Sequence, residues 1–167
     1  MMSELSVYMD NTTIVSRGNV HLLYSSKIPH ILAMIVSENL LADFNITNIC
    51  MMPLICLNIS SNRLIIPMTK ITRMTTLQIL NLSNVGKIAF EGIDFTPLVN
   101  LHTLDISCNQ LVRIPEGLHA VVELDLSVNS IVDFSPLKKY TRLRNVDISE
   151  NPTDQIDIVG KLSMLRI

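Results

Sequence analysis

LHTLDISCNQL (residues 101–111) and VVELDLSVNSI (residues 121–131) are one phrase in two wordings. Apolar residues fill positions one, four and six: Leu101, Leu104 and Ile106, then Val121, Leu124 and Leu126. Serine stands seventh and asparagine ninth in both. The phrase recurs upstream as ILAMIVSENLL from Ile31, LICLNISSNRL from Leu54 and LQILNLSNVGK from Leu77. Downstream it recurs as LRNVDISENPT from Leu143. The ninth positions are Asn39, Asn62, Val85, Asn109, Asn129 and Asn151, at steps of 23, 23, 24, 20 and 22 residues. A fixed period of this length identifies a stacked, one-dimensional solenoid rather than a globule.

The phrase follows from what one layer of such a stack needs. A short strand alternates its side chains, so positions four and six point inward while three and five point out. Each inward Leu, Ile or Val contributes roughly 1.5–3 kcal/mol when buried. The ninth residue stands where the chain leaves the strand. An asparagine amide carries both donors and an acceptor. Asn39, Asn62, Asn109, Asn129 and Asn151 are therefore expected to form a structural ladder that satisfies backbone groups of their own and neighbouring turns. Val85 interrupts it, which predicts a locally distorted turn in the third repeat. The serines at position seven (Ser37, Ser60, Ser83, Ser107, Ser127 and Ser149) fit a tight strand exit and bond locally. They are not read as nucleophiles, because no His or acid recurs beside them in a triad-like way.

Residues 1–30 do not repeat cleanly. They form either a degenerate strand through Leu5, Val7 and Asp10, or a hairpin whose second arm holds Ile14 and Val15. Either would cover the first layer, as a terminal repeat must. Residues 31–161 hold the six repeats. Their variable second halves should return along the convex side as extended or single-turn helical segments. The apolar anchors of these returns include Phe44, Ile49, Ile66, Ile71, Phe90, Phe95, Leu98, Ile114, Leu118, Phe134, Leu137 and Tyr140. Pro67, Pro97, Pro115 and Pro136 fall there, where a missing N–H costs no ladder bond. Residues 162–167, LSMLRI, match the start of a seventh phrase, with Leu162, Leu165 and Ile167 inward. Such an edge strand is a template for pairing two chains into a homodimer.

These phrases resemble the leucine-rich repeat family over about four-fifths of the chain. NSIVDFSPLKKYTRLRNVDIS (129–149) is similar to the short class of about 22 residues found in intracellular regulators, among them a regulatory subunit of protein phosphatase one. NQLVRIPEGLHAVVELDLS (109–127) is similar to repeats of bacterial effectors and plant proteins. The resemblance implies an α/β solenoid: a curved horseshoe fragment with a parallel concave sheet and mostly irregular or short-helical convex returns. It implies a non-enzymatic module, without a cofactor, that binds a protein or peptide on its concave face. The alternative is the recognition or regulatory subunit of an enzyme complex, a phosphatase or a ubiquitin ligase. A viral or bacterial host-interaction protein is a further form of it. Ubiquitin-ligase effectors of the family carry a separate catalytic domain, for which this chain has no room.

Composition narrows the classes further. There is no Trp and aromatics are 4%, so Leu and Ile must carry the core. The net charge of −2 provides no basic field, which argues against nucleic acid. Lys138, Lys139, Arg142 and Arg144 cluster in KKYTRLR, but without interleaved stacking aromatics they read as a solvated convex return. No basic segment precedes an apolar run at the N-terminus, and no apolar run reaches 18 residues, so neither a signal peptide nor a membrane span is expected. Cys50, Cys56 and Cys108 are odd in number, lack paired spacing and form no cysteine-rich end cap. That predicts a reducing, cytoplasmic setting, with the nucleus left open as a second intracellular one. Sequons occur at Asn11, Asn45, Asn58 and Asn81; the last two fall out of the repeat phrase, and all four are read as accidental. His21, His30, His102 and His119 show no metal-ligand spacing, and only His102 with Cys108 is expected as a pair on the concave face. No phosphate-binding glycine loop is present.

The register fixes which residues face a partner. Position five runs Ile35, Asn58, Asn81, Asp105, Asp125, Asp147, and position three Ala33, Cys56, Ile79, Thr103, Glu123, Asn145. Position eight runs Glu38, Ser61, Asn84, Cys108, Val128, Glu150. The face should be neutral to apolar at its N-terminal half, with Ile35, Ile55 and Ile79, and acidic at its C-terminal half. The expected contact residues are Ile35, Asn58, Ile79, Asn81, Asp105, Glu123, Asp125, Asp147 and Glu150. Stacked strands lie about 4.8 Å apart, so the aspartates should form a row of like charge. Arg144 and Arg166 could offset that repulsion, or a basic segment of the partner could.

Overall fold

The computed structural model describes residues 6–9, 13–17, 33–37, 50–62, 68–85, 90 and 93–152. Eight strands are laid down in chain order as one sheet. They are β1 (Ser6–Met9), β2 (Thr13–Arg17), β3 (Ala33–Ile35), β4 (Cys56–Asn58), β5 (Ile79–Asn81), β6 (Thr103–Asp105), β7 (Glu123–Asp125) and β8 (Asn145–Asp147). β1 pairs antiparallel with β2, and every later pairing is parallel. Of the two readings of the N-terminal segment, the structure has the hairpin. Its second arm continues the stack, with Ile14 opposite Met34 and Val15 opposite Ile35.

The register never slips. Position three pairs with three, four with four and five with five, from Ala33–Cys56 and Met34–Leu57 through to Leu124–Val146 and Asp125–Asp147. A slip of one residue would turn the buried centre of a strand out to solvent. That centre is Met34, Leu57, Leu80, Leu104, Leu124 or Val146, and all six are buried. Positions one and six are buried beside them, at Leu54, Leu77, Leu101 and Val121 and at Val36, Ile59, Leu82, Ile106 and Leu126.

The convex returns close the core from the other side. They hold one helical turn, α1 (Met68–Ile71), one 3-10 helix, η1 (Ser135–Lys139), and otherwise irregular chain among the described residues. Ile71, Phe90, Phe95, Leu98, Ile114, Leu118, Phe134, Leu137 and Tyr140 are buried, whereas Phe44, Ile49 and Ile66 lie outside the described residues. Two returns begin alike, as DFTPL from Asp94 and DFSPL from Asp133. Asp94 Oδ1 accepts the Thr96 N–H at 2.8 Å, and Asp133 Oδ1 accepts the Ser135 N–H at 2.8 Å. Hydroxyl and amide donation from Thr96 and Ser135 holds both carboxyls below the usual carboxylate range. Neighbouring returns are stitched by the Phe95 N–H to Glu116 carbonyl bond of 2.9 Å. Gly117, at φ +80°, permits this approach, since a Cβ there would lie 2.0 Å from the Thr96 nitrogen.

The ninth residues seal the strand exits from within. The Asn109 amide donates to the carbonyls of Leu82 (2.7 Å), Ile106 (3.0 Å) and Ser107 (2.9 Å). Asn62, Asn129 and Asn151 repeat the pattern on their own and the preceding turn. The amide oxygens face the other way: Asn129 Oδ1 accepts the N–H groups of Asn109 (3.1 Å) and Leu111 (2.9 Å), and Asn151 Oδ1 that of Ile131 (3.0 Å). Asn62 Oδ1 has no partner among the described residues. Its equivalents accept from positions nine and eleven of the preceding repeat, which here are Asn39 and Leu41, outside the described residues.

At Asn84 and Val85 the third turn departs from the expectation of local distortion, while residues 86–89 lie outside the described residues. Asn84, before Val85, has φ +50°, like Ser61, Cys108, Val128 and Glu150 at the same position of other repeats. Val85 is fully buried, and its N–H still donates to Asn109 Oδ1 at 3.1 Å. The carbonyls that an asparagine at 85 would serve are already covered: Asn62 serves Ile59, Asn109 serves Leu82, and the Ser61 N–H serves Ser83. The neighbours therefore hold the turn in shape. What position 85 no longer offers is a side-chain oxygen for the N–H of Asn62. Residues 162–167, with the expected edge strand and the homodimer contact resting on it, lie outside the described residues.

Candidate interaction face

Positions three and five of β3–β8 form the concave face. The position-five row follows the register: Ile35, Asn58, Asn81, Asp105, Asp125, Asp147. In each Asn or Asp one oxygen turns back to the strand exit. Asp105 Oδ1 accepts from the N–H (3.0 Å) and hydroxyl (2.7 Å) of Ser107, and Asp125 Oδ1 from those of Ser127 (2.9 and 2.6 Å). Asn58 does the same with Ser60, at 3.0 and 2.8 Å. Asn81 and Asp147 accept the N–H of Ser83 and Ser149, both at 2.9 Å. The seventh-position serines thus serve as local caps.

The second oxygens are spent unequally. Asp105 Oδ2 accepts the Asn81 amide at 2.9 Å. Among the described residues no equivalent neighbour bonds the second oxygen of Asp125 or Asp147. Glu123, at position three of β7, sits between Thr103, whose hydroxyl donates to it at 3.2 Å, and Asn145, at 3.5 Å. These side chains line an open groove of about 660 Å³ across β6–β8, together with Leu104, Leu124, Val146 and Ser149. Glu150 is exposed beyond it.

Arg144 does not compensate the acidic row. Its guanidinium donates to the backbone carbonyls of Thr141 and Leu143, both at 3.1 Å. Arg166 lies outside the described residues. Among the described residues the one ion pair is on the convex side, between Lys139 and Glu116. Lys139 also sits 5.1 Å from the Tyr140 ring centroid, and its pKa is raised by the Glu116 carboxylate. Lys138 and Arg142 are exposed on the same return. Lys138, Lys139 and Arg142 therefore lie on the convex return, where Lys139 pairs with Glu116.

The N-terminal half of the face differs. Ala33, Cys56 and Ile79 stack in register at position three, and Ile79 is 44% exposed. Ile35, Asn58 and Asn81 are half-buried beside them, as is Ile55 at position two. Cys50, Cys56 and Cys108 are free thiols, Cys108 being exposed. Burial pushes the Cys50 and Cys56 thiols up, keeping both protonated. His102 bonds its Nδ1 to the Asn100 carbonyl (2.6 Å). No group of three or more His, Cys, Asp or Glu that could hold a metal ion occurs among the described residues. No helix among them is long and apolar enough to cross a membrane.

One rim residue is absent from the expected contact set. Val128 is 41% exposed at position eight, with φ +54°. The register places it at position eight, the position of Glu150 one repeat later, past the strand where the chain turns left-handed.

Comparison with known proteins places the repeat. The Leucine Rich Repeat family model matches residues 100–121. No curated protein matches the chain. Among solved structures, internalin C2 of Listeria monocytogenes is similar at a TM-score of 0.72 and 21% identity, over 92% of this chain and 68% of that one. A leucine-rich repeat protein of Leptospira interrogans is similar at 0.61 and 21% identity, over 83% and 42%. The functional domain of InlJ from Listeria monocytogenes, described as including a cysteine ladder, is similar at 0.54 and 20% identity, over 82% and 38%. The chain thus spans less than half the length of the last two. No such ladder stacks here, since Cys56 pairs in register with Ala33 and Ile79. The six repeated phrases, the parallel strands in unbroken register and the matched segment give this chain a leucine-rich repeat fold, which serves generally as a protein-interaction scaffold.

Proposed function

We propose that this chain is a non-enzymatic interaction module whose concave face, over β6–β8, takes a basic segment of a partner protein or peptide. The observation that carries the reading is the chemistry of position five. The fold asks this residue only to accept from the serine two places on. Asn58 meets that need as fully as Asp105 does, at nearly the same distances. Negative charge at Asp105, Asp125 and Asp147 is therefore not a requirement of the strand exit. Three adjacent strands carry it nonetheless, with Glu123 beside them and no cation of the chain against them among the described residues.

Like charges stacked in register destabilise a sheet, and an incoming Lys or Arg segment relieves that repulsion. Ile35, Asn58, Ile79 and Asn81 extend the surface toward β3, where an apolar continuation of the same partner would fit. A cytoplasmic, reducing setting belongs to this proposal, and the three free thiols support it.

The test is a titration of fluorescein-labelled oligo-lysine. The proposal expects saturable binding that weakens as salt is raised, because the groove is open and screened. Replacing Asp125 and Asp147 by Asn should weaken it by at least about tenfold, equivalent to roughly 1.4 kcal/mol. Equal affinity of the variant and the parent would overturn the proposal.

A further inference from the structure

The inner asparagine row ties each layer to the one before it, except at one boundary. Between repeats one and two the Asn62 amide donates to the Val36 carbonyl at 2.8 Å. Between three and four the Asn109 amide donates to the Leu82 carbonyl at 2.7 Å, and Asn109 Oδ1 accepts the Val85 N–H at 3.1 Å. Asn129 and Asn151 make the same ties between four and five and between five and six. Between repeats two and three the tie would have to come from position 85. A valine side chain neither donates nor accepts, so from Asn62 to Asn151 the row is broken at that step alone.

The concave side chains do not make up the difference. Across β5 and β6 the Asn81 amide donates to Asp105 at 2.9 Å, and the Ser107 hydroxyl to that of Ser83 at 2.8 Å. Across β6 and β7 the Thr103 hydroxyl donates to Glu123 at 3.2 Å. β4 meets β5 through Cys56 against Ile79, Leu57 against Leu80 and Asn58 against Asn81, and no side-chain hydrogen bond joins these two strands among the described residues. This boundary keeps the backbone ladder, with Ile59 N–H to Asn81 carbonyl at 3.1 Å and Ser61 N–H to Ser83 carbonyl at 2.8 Å. It also keeps the bond from the Thr76 hydroxyl to the Leu54 carbonyl, 2.7 Å, at the opposite end of the strand from position 85. Apolar burial holds it as it holds the other boundaries; what is missing is the added tie.

A solenoid layer touches only its neighbours, so its stability is a sum of single-layer and boundary contributions, and the weakest boundary decides where the stack divides. We infer that the boundary between repeats two and three is a seam built into the fold, at which β3 and β4 open as a unit while β5–β8 stay folded. Repeat two, once repeat one has opened, is held only by the weak boundary and follows it. Opening uncovers the β5 edge, where the Asn81 and Ser83 carbonyls lose the Ile59 and Ser61 donors. The groove across β6–β8 lies wholly on the part that stays folded.

Amide hydrogen exchange tests the seam, followed by NMR on the whole chain at urea concentrations below the unfolding midpoint. Three groups of N–H report on successive boundaries: Val36, bonded to Asn58; Ile59 and Ser61, bonded across the seam; and Leu82, bonded to Asp105. In the parent, Val36, Ile59 and Ser61 should share one opening free energy and agree within about threefold, with Leu82 at least about tenfold more protected. Val85→Asn restores the tie, so Ile59 and Ser61 should become about tenfold more protected relative to Val36. The inference is overturned if Ile59 in the parent is already about tenfold more protected than Val36, because the layers then open singly. Leu82 exchanging as fast as Ile59 would overturn it as well, as would an unchanged ratio of Ile59 to Val36 in Val85→Asn. Should that variant fail to fold, the two comparisons within the parent still decide.

Discussion

Two rows of Asn and Asp run the length of this molecule, and they obey different rules. The inner row, at position nine, is buried: Asn62, Asn109 and Asn129 are at most 7% exposed. Each amide donates to three carbonyls, and Asn109 and Asn129 also accept backbone N–H groups. An amide donates and accepts at once, whereas an ionised carboxylate can only accept, so aspartate is shut out. The outer row, at position five, is asked only to accept from a serine. Asn and Asp meet that request equally, and the chain uses both. Charge is forbidden within and optional without, and that freedom makes the acidic half of the outer row a candidate for recognition.

The largest effect should come from breaking the inner rule. Asn109→Asp removes the donors to Leu82, Ile106 and Ser107 and buries a carboxylate. A loss of about 3 kcal/mol or more is expected in urea unfolding. A loss under about 1 kcal/mol would show that the inner row does not need its amides.

Extending the inner row should stabilise by less. Val85→Asn supplies an acceptor for the Asn62 N–H at a turn whose backbone already matches the others. A gain of about 1 kcal/mol is expected, read as a higher urea midpoint. A net loss would mean that the burial of Val85 outweighs the restored bonds.

The outer row should respond weakly in stability. Asp125→Asn keeps the acceptor for Ser127 and removes one repelling charge, so unfolding should shift upward by no more than about 0.5 kcal/mol. A clear destabilisation would give the carboxylate a structural role and weaken its claim to recognition.

The smallest effect concerns the same acceptor chemistry on the convex side. Asp94 is held below its usual range by the Thr96 hydroxyl and N–H. A depressed folded pKa contributes stability above the unfolded value, and this contribution is lost as pH falls through the folded one. The group is exposed, so the contribution is small. Asp94→Asn should be slightly less stable than the parent at neutral pH and equal to it once the pH has fallen below the folded pKa of Asp94. A difference that persists in acid would point to something other than charge.

The architecture was legible because a period near 22 residues forces stacking, and Leu104, Leu124 and Val146 can be buried together in only one register. Position five could likewise be placed on the concave face by alternation. Three details were not legible. Whether the N-terminal segment was a degenerate strand or a hairpin depends on pairing, which no repeat phrase encodes there. The turn at Val85 looked broken in sequence, but its carbonyls are served by residues one repeat away. Arg144 looked close enough to neutralise the aspartates, yet position two is not an outward strand position, and its guanidinium finds backbone carbonyls instead.

The most direct test of the central claim joins stability to binding in one protein, with Asp105, Asp125 and Asp147 all replaced by Asn. Urea unfolding and oligo-lysine titration would be measured on the same preparation. The account predicts a variant as stable as the parent or slightly more so, with affinity for the basic probe lost. A variant that is destabilised, or one that binds the probe undiminished, would contradict it.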